Sequence, residues 1–427
     1  MRTLFLFAFI CIAFAARAQW TYKGLGGITT HQLTIENDTV FASTSNGLYK
    51  KYIFSNDTAW QQVSFNGQQV LNTMFLDQNE CLLLVSTDPM LHRAVLYKSM
   101  NRGVNSTLFL PDTVYYGYPN LAHMAKSPNG KDTIYLLSHG KKTYNGGQSW
   151  MPLAPSGQYA GGNFIYVNPK KTSEIFTGGE NMIFAASLQH STDNGQNWQD
   201  VDCSTVFAGD NAFEILHVIG DYWYASGEGI VVKKHKDSTD WVQLLNVYSE
   251  PVWALYMFGF DYSPANSNYM YVSGDQYNND KLKLLKSSNR GTSWDSASYT
   301  MPGQTRYGVN DLKVQHVWGE DRVWMGGFGV FTYGQGVPQL SVHGTDKRRL
   351  NASLYPNPGS NMLHVSIPDA KTESVTISIM DVLGARVWTG NAVNGKATIP
   401  VEGWAAGSYI IRLNTYEKQQ VLRFIKQ

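Results

Sequence analysis

The chain has 427 residues, longer than one ordinary domain, with 34 basic and 33 acidic side chains and an aromatic content of 13%. With Arg2 and Arg17 of the N-terminal leader set aside, 32 basic residues face 33 acidic ones, which argues against nucleic acid or an anionic membrane surface as the main partner. Beyond residue 18 only Cys81 and Cys203 remain, so a disulfide framework is excluded, no Cys-x-x-Cys pair exists for zinc, and two buried free thiols are expected rather than a bridge.

Residues 1–18 read as a cleaved secretory signal: Arg2 supplies a positive start, Leu4 to Ala15 an apolar run, and Ala16-Arg17-Ala18 a small-residue cleavage site before Gln19. Large residues precede Cys11, so lipoprotein anchoring is not expected, and no later run reaches the eighteen or so apolar residues of a membrane span. From Gln19 onward a unit repeats. Its short apolar runs include Val40-Phe41-Ala42, Cys81 to Val85, Ile134 to Leu137, Ile175-Phe176-Thr177, Tyr222 to Ala225, Tyr269 to Val272 and Val323-Trp324-Met325. Trp60, Ser106, Trp150, Trp198, Trp241 and Trp294 mark one point in successive units, at steps of 46, 44, 48, 43 and 53 residues. Such a period, with almost no helical periodicity, predicts an all-β chain folded as a β-propeller of four-stranded blades. Seven units fit between residues 20 and 335. The seventh, ending at Val330 to Tyr333, lacks an outer strand, which Gln19 to Tyr22 is expected to supply, closing the ring and removing an exposed sheet edge.

Within this period an octapeptide recurs: Thr143 to Trp150, Ser191 to Trp198 and Ser287 to Trp294, with a copy at Ser99 to Gly103 that has lost its tryptophan. The pattern Ser/Thr-x-Asp/Asn-x-Gly-x-x-Trp resembles the Asp-box, or BNR repeat, of sialidase-like propellers. Thr143, Asn145, Gly147 and Trp150, with Ser191, Asp193, Gly195 and Trp198 and with Ser287, Asn289, Gly291 and Trp294, are then structural. The short polar side chains bond backbone amides, the glycine takes positive φ, and the tryptophan fills a seam between sheets. One carboxylate per turn falls short of a calcium site, and neither metal nor cofactor is expected.

Residues 336–349, rich in Gly and Pro and then in basic residues, form an expected linker. Residues 350–427 alternate as strands at Leu363–Ile367, Val375–Met380, Ala397–Val401, Tyr409–Leu413 and Gln420–Ile425, the pattern of a small C-terminal β-sandwich. Three blocks carry a resemblance here: Leu354-Tyr355-Pro356-Asn357-Pro358, Met380-Asp381-Val382-Leu383-Gly384-Ala385-Arg386-Val387, and Gly407-Ser408-Tyr409 through Leu413, followed by the basic end at Lys426. This tail resembles the type A C-terminal sorting domain of the type IX secretion system of Bacteroidota. The resemblance implies export across the outer membrane, removal of the tail by the system's C-terminal signal peptidase, and release or attachment to surface lipopolysaccharide. Asp-Thr-apolar triplets, as at Asp38-Thr39-Val40 and Asp132-Thr133-Ile134, resemble the O-glycosylation sequence of that phylum and read equally well as turn chemistry.

Propellers bind ligands where the inner strands converge on the central channel. The heads of the expected inner strands carry His31, Asn72, His123, Asn163, Glu214, Trp253 and Asp311, a set suited to sugar or peptide recognition. Sialidase chemistry is not expected: the Phe/Tyr-Arg-Ile-Pro motif is absent, and only five arginines fall between residues 20 and 335, Arg102 and Arg290 among them inside octapeptides. No Gly-x-Ser-x-Gly elbow or His-Glu-x-x-His helix is present. A glycosidase using paired acids would draw on Glu214, Glu250 and Asp311. The expectation is a monomeric, secreted or surface-displayed recognition propeller for an extracellular glycan or protein, with that hydrolase as the alternative.

Overall fold

The computed structural model describes residues 19–427 except 56, 116–123, 154–161, 181–185, 207–211, 228, 248–254, 277–280, 301–307, 318, 335–349, 369–374, 382–385 and 415–418. The described residues form antiparallel sheets and no α-helix. Five sheets are four-stranded blades built from consecutive strands, and a sixth holds six strands because the N-terminal strand Gln19–Glu36 belongs to two blades at once. Its first half pairs with Glu320–Gly334, Trp20 opposite Tyr333, and its second half pairs with Thr39–Thr44, Leu33 opposite Ala42. Glu320–Gly334 folds back on itself, since Gly334 lies against the Asp321 carbonyl. Seven blades result. The inner strands Gln19–Glu36, Val70–Phe75, Met124–Lys126, Gly162–Val167, Phe213–Ile219, Leu255–Tyr262 and Val309–Val317 each touch the next, and the last touches the first. The chain is a seven-bladed β-propeller whose ring is closed by its N-terminal strand, as the repeat spacing predicts.

Core residues lie between blades rather than at one centre. Phe164, Phe176, Leu188, Phe213, Trp223 and Trp241 pack blade 4 on blade 5, and Leu82, Leu84, Leu96, Met124 and Leu136 pack blade 2 on blade 3. The seam tryptophans reach across these interfaces. Trp294 donates its indole N–H to the Leu244 carbonyl of the preceding blade (3.2 Å), and Trp241 donates to Asp202 (2.9 Å). Trp60 donates to Lys23 (2.8 Å) of the closing strand, so the joint uses the same chemistry as an ordinary interface. Gly24 takes a φ of +109° there, and a Cβ on it would stand 2.1 Å from the Thr58 carbonyl.

Side chains of the octapeptide itself hold its turn. Ser191 Oγ donates to Asp193 Oδ1 (2.8 Å) and accepts the Gly195 N–H (2.9 Å), while Asp193 Oδ1 accepts the Asn197 N–H (2.8 Å). Thr143 with Asn145 and Ser287 with Asn289 repeat these bonds, and Ser99 with Asn101 does so without a tryptophan. Two successive left-handed residues make the bonds possible, Asn194 and Gly195 in one copy and Arg290 and Gly291 in another. The tryptophan is therefore dispensable for the turn itself.

Two further sheets, of three and four strands, enclose a separate core of Leu363, Val365, Ile377, Ile379, Ile399, Ile411, Leu413 and Phe424: a small β-sandwich. Two strands not anticipated from the pattern, Ser353–Tyr355 and Arg386–Ala392, sit at sheet edges, where exposure erases the apolar alternation. Cys81 and Cys203 are buried free thiols, and burial pushes both up to about 12.

Candidate functional site

Six of the inner strands carry an irregularity at their heads, with register shifts at Thr30/Gln32, Val70/Asn72, Gly162/Phe164, Phe213/Ile215, Tyr256/Gly259 and Val309/Asp311. A bulge re-aims its extra residue out of the ladder. His31, Asn163, Glu214 and Asn310 occupy these bulges, and they reach sideways to the neighbouring blade. Asn163 Nδ2 donates to Glu214 Oε1 (3.4 Å), Asn310 Nδ2 donates to the Thr30 carbonyl (2.9 Å), and His31 Nε2 shares a hydrogen bond with Gln69 Nε2 (3.0 Å). His31, Asn163 and Glu214 are buried. Burial alone holds the His31 imidazole down at about 4, so it is neutral at physiological pH.

Below the bulges the inner strands present a second polar tier. Gln32 Oε1 accepts the Thr73 N–H (2.7 Å), and Asp311, in the matching place of blade 7, accepts the Leu33 N–H (2.7 Å). Two residues further along lie Thr34, Tyr166, His217, Asp261 and Lys313. Thr34 donates to the Thr73 carbonyl (2.8 Å), Tyr166 accepts the Val218 N–H (3.2 Å), His217 donates to the Phe260 carbonyl (2.9 Å), and Asp261 accepts the Val314 N–H (2.8 Å). Each side chain bonds the backbone of the next inner strand. Lys313 Nζ instead pairs with Asp311 Oδ1 of its own strand (2.7 Å).

The charged part of this ring runs from blade 5 to blade 7. Asp311 is buried, and burial pushes its carboxyl upward, opposed by Lys313 and by the Leu33 and Leu312 amides. Burial works against the Lys313 ammonium as well, but the carboxylates of Asp311 and Asp261 outweigh it and raise the amine, which keeps its proton. The Lys313 side chain is 37% accessible, so it faces the bore of the channel while protein surrounds it. His217 lies 3.9 Å from Asp261, with its ring edge-on to Tyr166 and Tyr262; burial lowers its basicity and Asp261 partly restores it. Chemically this is a polar bore in which two aspartates are already engaged: Asp261 takes Tyr262 and Val314, and Asp311 takes Leu33, Leu312 and Lys313. No cluster of three metal-ligating side chains occurs among the described residues.

Of the strand-head candidates, the structure brings Asn163 to Glu214 and sets His31 and Asp311 on either side of the closing joint. Asn72 is buried and donates to the Leu71 carbonyl. His123, Trp253 and Glu250 lie outside the described residues. Sequence reasoning missed Thr34, Tyr166, His217, Asp261 and Lys313. Strand alternation held the signal for some, because Thr34 and Lys313 stand two residues after Gln32 and Asp311 on the same side of the strand.

In the sandwich, the blocks singled out from sequence meet. Asn357 Nδ2 donates to the Arg423 carbonyl (2.7 Å), and its Oδ1 accepts the Ile425 N–H (2.9 Å), clasping the Tyr355-Pro356-Asn357-Pro358 segment to the last strand beside Lys426. Asp381 pairs with Tyr409 across the sheet, and the strand holding Tyr409, which starts at Gly407, lies between the Asp381 strand and the last strand. Gly384 falls outside the described residues. Residues 353–427 match the family of the secretion system C-terminal sorting domain. The tail is a type IX sorting domain. Its presence assigns the protein to type IX export, to the cell surface or the surrounding medium, through the machinery of that system. No helix among the described residues is long and apolar enough to cross a membrane.

No curated protein matches the chain in sequence. Among solved structures it is similar to the GH74 enzyme of Niastella koreensis, with a TM-score of 0.55 and 13% identity over 95% of this chain and 73% of that one. It is also similar to an ancestral GH74 enzyme, with a TM-score of 0.53 and 14% identity over 96% of this chain and 64% of that one. At such identities the likeness is one of fold.

Proposed function

We propose that the protein is an exported, non-catalytic recognition propeller of the Asp-box kind, which binds an extracellular glycan or protein at the mouth of its central channel. On this reading residues 1–18 are a cleaved signal, 19–335 the propeller, 336–349 a linker and 350–427 the tail removed by the C-terminal signal peptidase. The mature protein is then released, or held on surface lipopolysaccharide. The observation that carries the non-catalytic part is the engagement of Asp261 and Asp311. A glycosidase needs one acid able to give up a proton and a second facing the sugar, and these two spend their oxygens on backbone amides and on Lys313.

The alternative is a glycoside hydrolase built on Glu214, Glu250 and Asp311, and the GH74 likeness of the fold favours keeping it in view. The exported protein should bind members of a glycan or surface-protein array while releasing no reducing sugar from plant or bacterial polysaccharides. Turnover that Glu214→Gln abolishes, with melting temperature unchanged, would overturn the recognition reading.

A further inference from the structure

The seventh blade differs from its neighbours in a way that leaves a cavity. In the four blades that carry the octapeptide, its glycine sits on the preceding blade or on that blade's outer strand. A Cβ at Gly103 would stand 2.5 Å from Leu48, one at Gly147 2.2 Å from Phe109, one at Gly195 3.2 Å from Leu153, and one at Gly291 2.8 Å from Leu244. Blade 7 has no turn from third to fourth strand, because its fourth strand is the N-terminal segment. Among the described residues, none takes the octapeptide's place against blade 6. The space there is a cavity of about 380 Å³ at the end of the ring opposite the strand heads.

Its lining is organised. Asp321 forms the floor, its side chain 10% exposed and engaged by Ser263 Oγ (2.7 Å), the Tyr271 hydroxyl (2.9 Å) and His316 Nδ1 (2.9 Å). On the wall, Lys286 Nζ lies 3.4 Å from the Tyr333 hydroxyl. Tyr269 presents 43% of its surface at the rim, beside Asn266, Ser288, Asp295 and Glu320. An exposed aromatic face next to an amide, a hydroxyl and carboxylates provides stacking together with both donors and acceptors for vicinal hydroxyls. Three carboxylates against one ammonium disfavour a phosphate, a sulfate or an acidic sugar.

We propose that this cavity between blades 6 and 7 is a second binding site, taking one neutral hexopyranose unit of a glycan, with Tyr269 as the stacking platform. The site is independent of the channel reading, since it shares no residue with the inner-strand tiers. The test is saturation-transfer NMR on the full exported chain with methyl glucopyranoside, galactopyranoside and mannopyranoside as probes, alongside a lysine–arginine dipeptide. At least one hexopyranoside should receive saturation on one ring face. Tyr269→Ala, at an exposed position, should raise its dissociation constant about tenfold. Asn266→Trp, which fills the cavity without removing the platform, should abolish the signal, whereas Lys313→Met in the channel should leave it intact. Binding unchanged in both cavity variants, no saturation of any hexopyranoside, or preferential binding of the dipeptide would overturn the proposal.

Discussion

The octapeptide turns and the inner-strand heads are both repeated polar features of one ring, and they are stabilised in opposite ways. The octapeptide's turn is held locally: every side-chain bond of Ser191 and Asp193 falls within four residues of its origin. The inner-strand tiers bond across blades, with partners 39 residues apart for Thr34 and Thr73, and 278 apart for Asp311 and Leu33. Local turns can be lost one at a time, and the copy at Ser99 has already lost its tryptophan without losing its bonds. The inner latches hold the ring closed, so each should matter more than any turn.

Substitutions should expose that contrast. Asp311→Ala strips Lys313 of its paired carboxylate and leaves the Leu33 amide unsatisfied in a buried setting, and about 3–5 kcal/mol of stability should be lost in urea titration. A loss no greater than that of a turn variant would mean the tiers are ornament. His31 gives the comparison a pH signature. Because its folded form stays neutral down to about 4 while an unfolded histidine titrates near 6.5, only the unfolded state takes up a proton between those values. Stability is therefore full above pH 6.5 and declines as pH falls to 4, by up to about 3 kcal/mol. His31→Gln should flatten that part of a melting-temperature profile, and a profile identical to the parent's would remove His31 as a latch.

On the local side, Ser287→Ala should cost about 1 kcal/mol through the lost Gly291 amide bond, with no change in blade assembly by small-angle scattering. Asp193 is held well below the usual carboxylate range, chiefly by the Asn197 amide. Its contribution is present at neutral pH and disappears only as strong acid protonates it, and Asp193→Ala should remove that step from an acid titration. The smallest effect belongs to the tail: Arg423 meets Asp38 at 2.6 Å across an exposed surface and lies over Tyr52, and Arg423→Ala should change stability by about 0–1 kcal/mol.

Much of the frame is legible in the chain. The period of the apolar runs and of the unit-marking positions from Trp60 to Trp294 sets the number of blades, and Trp20 and Tyr22 are readable as a missing strand because the seventh unit stops short at Tyr333. Tyr355 to Pro358, Asp381, Tyr409 and Lys426 mark the tail. The channel is far less legible. Asp311 and Glu214 stand out as acids at strand heads, but the bulges that turn Glu214 and Asn163 toward each other leave no mark in the sequence. Asp261 could not be placed, because its strand carries an irregularity between Tyr256 and Gly259 that breaks the count from the strand head.

The sequence by itself determined the all-β frame, the number of its units, the closing role of the N-terminal strand and the export tail. In each case the determining contacts lie within a few residues or recur at a fixed period. Only the tertiary structure decided which polar side chains line the bore and where the ring leaves a cavity. Those outcomes depend on residues up to 280 positions apart, Asn310 and Thr30 among them, meeting when the seventh blade closes on the first.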